Sequence, residues 1–184
     1  MALAIVLVVT AALYAYMVFE TRWLKIERLD FSKKGTGLRI MHLTDLHVYM
    51  TGISAERIRK AVIAEDPDVI LITGDYINDP LHAAKFLRYL QTFARGRRTM
   101  LCFGNHDYKA FGSNTEGLRD FIREIEALGV EVLINRTAIV EKDGRKYNII
   151  GFDDLRRGHP DIDRAMEGCI QDAPKIAITH NPDL

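Results

Sequence analysis

The chain has 184 residues, 48% of them apolar, which suffices for one sizeable core and excludes a disordered polypeptide. Lysine and arginine together number 25, matching 25 aspartate and glutamate residues, so no net field gathers a polyanion and no nucleic-acid partner is indicated. Cys102 and Cys169 stand far apart with no Cys-x-x-Cys spacing, which excludes a disulfide framework. Both read as buried thiols, and their usage leans toward a reducing compartment while leaving a single bridge between them open.

Ala2 to Phe19 carry no charge. At about 1.5 Å per residue such a helix reaches roughly 27 Å, close to the hydrocarbon thickness of a bilayer. Residues 1–20 are therefore expected to form a transmembrane anchor, with membrane lipid around residues 2–19. Tyr14, Tyr16 and Trp23 suit the membrane interface. A secretory signal peptide is the rival reading, but no basic segment precedes the apolar run and no convincing cleavage site follows it. A buried core helix fits less well, because the run is apolar on all faces. Residues 21–37 read as a connector. Its Arg22, Lys25, Arg28, Lys33 and Lys34 favour a cytoplasmic domain by the positive-inside rule, although large domains can be exported regardless, so the side of the cell membrane stays open.

Beyond Gly35 and Gly37, short apolar runs alternate with amphipathic stretches, the pattern of strand, crossover helix and strand. Strands are expected near 38–43, 68–73, 99–103 and 174–179, and helices over 54–65, 80–95 and 114–128. Asp79 before Pro80 supplies a capping oxygen, and Gly129 stands where a helix should stop. Residues 131–134, 138–142 and 146–151 read as shorter strands, the last two joined through Asp143-Gly144 as a tight hairpin. The fold class is α/β.

Ligands of open α/β sheets bind beyond the carboxyl ends of the strands. Here those ends carry Asp45-Leu46-His47, Gly74-Asp75, Gly104-Asn105-His106-Asp107 and Thr179-His180-Asn181. Singly, each is explained by a cap, a turn or a structural histidine. Four coincident strand ends offering carboxylate, imidazole and amide donors point instead to one site for a manganese-, iron- or zinc-like ion.

In that order, Asp-x-His, Gly-Asp, Gly-Asn-His-Asp and a later histidine resemble the calcineurin-like metallophosphoesterase family over residues 39–184. The apolar first helix, Thr-His-Asn-Pro-Asp and Ile150-Gly151-Phe152-Asp153-Asp154 are similar to its membrane-anchored bacterial branch. The resemblance implies a four-layer αββα sandwich over residues 38–184, two sheets with helices outside. It implies two divalent metals, manganese favoured, about 4 Å apart, with a bridging hydroxide that attacks phosphorus in line. Asp75 would bridge them, Asp45 and His47 would bind the first, and Asn105 and His180 the second. His106 would protonate the leaving alkoxide, with Asp107 orienting its ring.

The family also has a later Gly-His-x-His segment, and no histidine follows His180. The resemblance thus implies a sandwich incomplete at its carboxyl end, whose residues alone bind metal poorly. The implied reaction is hydrolysis of a phosphodiester or phosphomonoester, with a lipid-linked substrate suggested by the anchor. Alternatives are a pyrophosphatase acting on a nucleotide-linked lipid sugar precursor and a catalytically silent, membrane-anchored interaction protein. A metal store is disfavoured by the open coordination positions. His42 reads as a half-buried strand histidine, His82 and His159 as surface residues. Arg95, Arg97 and Arg98 read as a solvated helix end, and Arg156 and Arg157 as loop ion pairs.

Overall fold

The computed structural model describes residues 1–31 and 37–183. Lys33, Lys34 and Gly35 of the expected connector, and Leu184, lie outside the described residues.

A run without Gly or Pro, uncharged through Phe19, forms α1 (Ala2–Glu20). None of its residues is buried among the described residues, and Leu3, Val6, Leu7 and Val8 are exposed. The reading of this segment as a buried core helix is excluded.

The short apolar runs form β1 (Ile40–Thr44), β2 (Val69–Thr73), β3 (Thr99–Cys102) and β4 (Val130–Val132), one parallel sheet in the order β1-β2-β3-β4. Parallel neighbours need a crossover. These are supplied by α2 (Ala55–Glu65), α3 (Ala83–Phe93) and, between β3 and β4, α4 (Asn105–Phe111) and α5 (Thr115–Ala127). The side chains of Ser54 and Asn114 cap α2 and α5 by accepting the amides of Arg57 and Gly117. The central strand, Val-Ile-Leu-Ile-Thr, is buried throughout, as a strand covered on both faces must be. Its residues alternate between the two faces. Ile70 and Ile72 pack with Ile58, Val62, Phe86, Leu90 and Phe121 from the helices, while Val69 and Leu71 face a second sheet.

That sheet comprises β5 (Arg136–Lys142), β6 (Arg145–Gly151) and β7 (Lys175–Ile178). β5 and β6 form an antiparallel hairpin whose Asp143 and Gly144 take φ of 51° and 74°, the left-handed pair of a two-residue primed turn. β7 runs parallel to β6. Ala138, Val140, Tyr147, Ile149 and Ile178 pack against Met100 and Cys102 to make the core between the sheets. On the outer face of the second sheet lies α6 (Ile162–Met166), tied down by the Thr137 hydroxyl donating to the Ala165 carbonyl at 2.6 Å. The layers are helices, sheet, sheet, helix, the order the resemblance implied, with five residues of helix in the fourth layer.

Several expectations change in detail. The helix expected over 80–95 opens as a 3-10 turn at Pro80–His82, and α3 stops at Phe93 because Gly96 turns the chain at φ 74°. The stretch Asn105-His106-Asp107, expected just beyond the end of a strand, stands there as the first turn of α4. Cys102 is buried, but Cys169 is only half-buried, beside the Thr137 hydroxyl at 3.2 Å; both are free thiols. His42 is exposed, contrary to the half-burial expected of it, and its Nε2 lies 2.8 Å from the Thr73 hydroxyl.

Candidate metal centre

The chain turns abruptly after β1 and β2. Asp45, His47 and Asp75 all adopt positive φ (50°, 35° and 57°), as does Gly74 at 63°. For residues other than glycine this conformation costs on the order of 1–3 kcal/mol each and persists only where the surroundings enforce it. Here the two loops are laced together: the His47 amide donates to the Asp75 carbonyl and the Val48 amide to the Tyr76 carbonyl, both at 3.0 Å. A Cβ on Gly74 would meet His180 Nδ1 at 2.6 Å and Gly104 at 2.7 Å, so the strand ends can converge only with glycine there.

The converging donors surround Asp75, whose side chain is nearly inaccessible. Its Oδ1 accepts the His106 backbone amide at 2.9 Å, which fixes the carboxylate and leaves Oδ2 to the open side. Oδ2 lies 3.5 Å from His180 Nε2 and 3.9 Å from His47 Nε2. His47 Nε2 is also 3.8 Å from Asp45 Oδ1. Ligand atoms of Asp45, Asp75 and His180 fall within 4.8 Å of one another. His180 Nδ1 donates to the Thr73 carbonyl at 3.4 Å, a contact that orients the ring and turns Nε2 toward Asp75. His47 Nδ1 is buried and makes no hydrogen bond among the described residues.

The donor set suits a divalent cation. Two close carboxylates with no lysine or arginine paired to them among the described residues repel one another, and the imidazole nitrogens beside them would complete a cation's ligands. Asn105 begins α4 directly after Gly104, and its half-buried side chain makes no hydrogen bond among the described residues, leaving the amide oxygen unengaged.

Asp107 does something other than what was expected of it. Its carboxylate is fully buried and takes four backbone amides: Asp75 at 2.8 Å and Gly104 at 3.0 Å on Oδ2, Tyr76 at 2.8 Å and Ile77 at 3.1 Å on Oδ1. It knots the β2 turn to the start of α4 and does not touch the His106 ring. Burial pushes its carboxyl up to about 7 against the opposing pull of the Gly104, Ile77 and Tyr76 amides. The partner of His106 Nδ1 is the side-chain oxygen of Asn78, at 2.8 Å, and the ring stands edge-on to His47 with centroids 5.6 Å apart. Asn78 went unnoticed in the sequence; its signal was a polar residue three positions after Asp75 that no cap or turn required.

A second buried polar knot supports His180. Asn181 donates its amide to Asp154 Oδ2, while Asp154 Oδ1 accepts the backbone amides of Arg156 and Arg157 at 3.0 and 2.7 Å. Asp153 accepts the Tyr108 hydroxyl at 2.5 Å and the His159 amide at 2.7 Å. Thus Arg156, Arg157 and His159 enter this knot through their backbones. Arg97 pairs with Asp66, and Arg98 with Glu131, so the basic cluster is partly spent on ion pairs.

The profile of the family described as calcineurin-like phosphoesterase matches residues 38–184. The chain is similar to "Phosphodiesterase YaeI" of Escherichia coli, 29% identical over 96% of this chain and 66% of that protein. It is similar to the "Uncharacterized metallophosphoesterase YkoQ" of Bacillus subtilis, 26% identical over 88% of this chain and 59% of the relative. A shorter match joins it to "UDP-2,3-diacylglucosamine pyrophosphatase LpxG" of Chlamydia muridarum, 32% identical over 51% of this chain and 31% of that one. The chain spans at most about two thirds of the length of these relatives. With its strand-end donors gathered on Asp75 and the family profile running through every one of them, the chain belongs to the calcineurin-like phosphoesterases.

Proposed function

We propose that this protein is a membrane-anchored hydrolase of phosphate esters that works with two divalent metal ions, manganese favoured over iron or zinc. The observation that carries the reading is the placement of Asp75 Oδ2 between His47 Nε2 and His180 Nε2, the position of a carboxylate shared by two ions. Asp45 and His47 would hold one ion, Asn105 and His180 the other. When bound, such ions polarise a phosphoryl group and make water nucleophilic at neutral pH.

The protein's own residues do the rest. The His106 amide restrains Asp75, and the Thr73 carbonyl restrains His180, so the ligands are oriented before any ion arrives. His106, with its Nδ1 proton directed at Asn78, serves as the acid that protonates the leaving oxygen from Nε2. Asp107 keeps the turn that carries Asp75 against the start of α4.

The α1 helix would be the single membrane span, residues 21–37 the connector and residues 38–184 the catalytic domain. The length and composition of α1, with none of its residues buried among the described residues, support that division. A lipid-linked phosphate ester is the favoured substrate class. Similarity to a relative named as a pyrophosphatase of a diacylated nucleotide sugar supports cleavage of a pyrophosphate as the second reading.

The test is manganese-dependent hydrolysis of bis(p-nitrophenyl) phosphate by the protein extended through the Gly-His-x-His segment expected of the family, compared with residues 1–184 alone. Turnover that Asp75→Asn lowers by about 100-fold or more supports the proposal, since removing one hydrolytic ion forfeits several kcal/mol of charge stabilisation. Turnover indifferent to manganese and to Asp75→Asn overturns it.

A further inference from the structure

We infer that the metal centre opens at the bilayer surface itself, and that the loops bearing Tyr49-Met50 and Leu81-His82 form a membrane-contacting rim that admits phosphate esters whose lipid part stays in the membrane. The inference rests on the proposed reading of α1 as the anchor.

The chain fixes which end of the domain meets the membrane. α1 ends at Glu20, one residue past its uncharged run, and the next carbonyl, that of Thr21, accepts the Gly52 amide at 3.2 Å. Gly52 has no room for a side chain: a Cβ would lie 3.1 Å from the Thr21 carbonyl and collide with the Arg22 side chain. Arg57, in the first turn of α2, adds a hydrogen bond to the Arg22 carbonyl. Gly52 belongs to the loop that carries Asp45 and His47, and within it the amides of Met50 and Thr51 donate to the His47 carbonyl at 2.8 and 3.0 Å. A short series of backbone hydrogen bonds therefore joins the end of the apolar helix to a residue of the centre.

The route of the connector agrees. Arg22 sits at the start of α2, whereas Arg28 pairs with Glu65 at its end, with Nε 2.8 Å from the carboxylate. Because α2 leaves the carboxyl end of β1, its start lies on the metal side of the sheet and its end on the far side. The chain thus leaves α1 on the metal side and descends along α2 before entering β1. The carboxyl edge of the parallel sheet faces the membrane.

On that face stand side chains that water does not favour. Met50 is 66% exposed and Leu81 is 87% exposed. They are neighbours of Tyr49 and His82, whose rings stack with centroids 4.9 Å apart and 16° between planes, so the two loops form one surface. The Gly52–Thr21 hydrogen bond of 3.2 Å and two residues of chain together reach at most about 10 Å, which keeps Met50 in or just outside the headgroup layer when Thr21 lies at its inner boundary. Trp23, 5.6 Å from the ring of Phe19 by centroid, marks the same level with a residue type that collects there. The bilayer, rather than a protein, is the fitting occupant, because the apolar rim is continuous with the end of an apolar helix already committed to lipid. A phosphate at headgroup depth then lies level with the half-exposed Asp45 carboxylate.

Depth-resolved quenching tests this. In a Cys169→Ser background, with Cys102 buried and unreactive, environment-sensitive fluorophores are placed by Met50→Cys, Leu81→Cys, Lys146→Cys on the opposite end of the second sheet, and Leu7→Cys inside α1. The full chain is reconstituted in phosphatidylethanolamine–phosphatidylglycerol vesicles carrying either headgroup or mid-chain nitroxides. The inference predicts several-fold stronger headgroup quenching at Met50→Cys and Leu81→Cys than at Lys146→Cys, with matching protection from aqueous iodide. If Leu7→Cys is quenched by mid-chain nitroxide while both rim labels are as open to iodide as Lys146→Cys, the rim inference is wrong and the anchor reading survives. If Leu7→Cys is not in the bilayer either, both fall.

Discussion

His106 Nδ1 lies 2.8 Å from Oδ1 of Asn78, so the ring of the proposed acid is oriented by a neutral amide and not by the aspartate that follows it. A neutral partner holds the tautomer without adding a charge that would favour the imidazolium.

Replacing the amide reads this out. Asn78→Ala should lower kcat by about 10- to 100-fold while leaving manganese affinity nearly unchanged, the scale expected when a partner that orients a site histidine is lost. Asn78→Asp should recover much of the rate and move the alkaline limb of the pH–rate profile upward, because a carboxylate stabilises the charged ring. A purely structural role for Asn78 would shift thermal stability and leave the limb where it was.

Asp107 predicts a pH dependence of stability in the metal-free protein. Its carboxyl is pushed up to about 7 by burial, above its ordinary value of 3.8. The folded state therefore binds the proton that the unfolded state has released, and stability present below pH 4 is lost as pH rises toward 7. Urea denaturation of chelator-treated protein between pH 4.5 and 7.5 should show this decline, and Asp107→Asn should flatten it while lowering stability at every pH. A stability that rises across the window contradicts the assignment.

Close packing at the strand ends predicts that Gly74→Ala is severe. The new methyl would meet His180 Nδ1 at 2.6 Å on a backbone already at positive φ. Strain and clash together should cost about 2–4 kcal/mol, seen as a lowered unfolding midpoint, and displace His180 enough to weaken manganese binding. Gly96→Ala, where nothing lies within 4 Å of the added methyl, should show only the smaller backbone penalty.

The knot behind His180 gives a further expectation. Asp154→Ala frees the Asn181 amide and the backbone amides of Arg156 and Arg157. Manganese affinity measured by calorimetry should fall by about 10- to 100-fold, the usual effect of removing support from a metal-ligating histidine. Unchanged affinity would show that Thr73 and the end of β7 suffice to place His180.

Periodicity made the alternation of strands and helices legible, because β2 is an unbroken apolar run and α2, α3 and α5 are long enough to repeat an apolar face. The convergence of Asp45, His47, Asp75 and His180 was likewise readable, since a parallel sheet aligns its carboxyl ends. α4 and α6 were not, at seven and five residues too short to show a helical period. The role of Asp107 was hidden for a different reason. A carboxylate next to a site histidine suggests a side-chain partner, whereas its actual partners are four backbone amides, of which the three from Asp75, Tyr76 and Ile77 become neighbours only once β2 and β3 lie side by side. Cys169 was misjudged because its segment borders the small outer helix, where there is little to cover it.

The central claim is that Asp75 is shared by two ions. Manganese titration of the metal-free protein extended through the Gly-His-x-His segment, followed together by calorimetry and electron paramagnetic resonance, addresses it directly. The account predicts two ions per chain with an exchange-coupled signal, and at most one uncoupled ion in Asp75→Asn. One isolated ion in the unaltered protein, or a coupled pair that persists in Asp75→Asn, would contradict it.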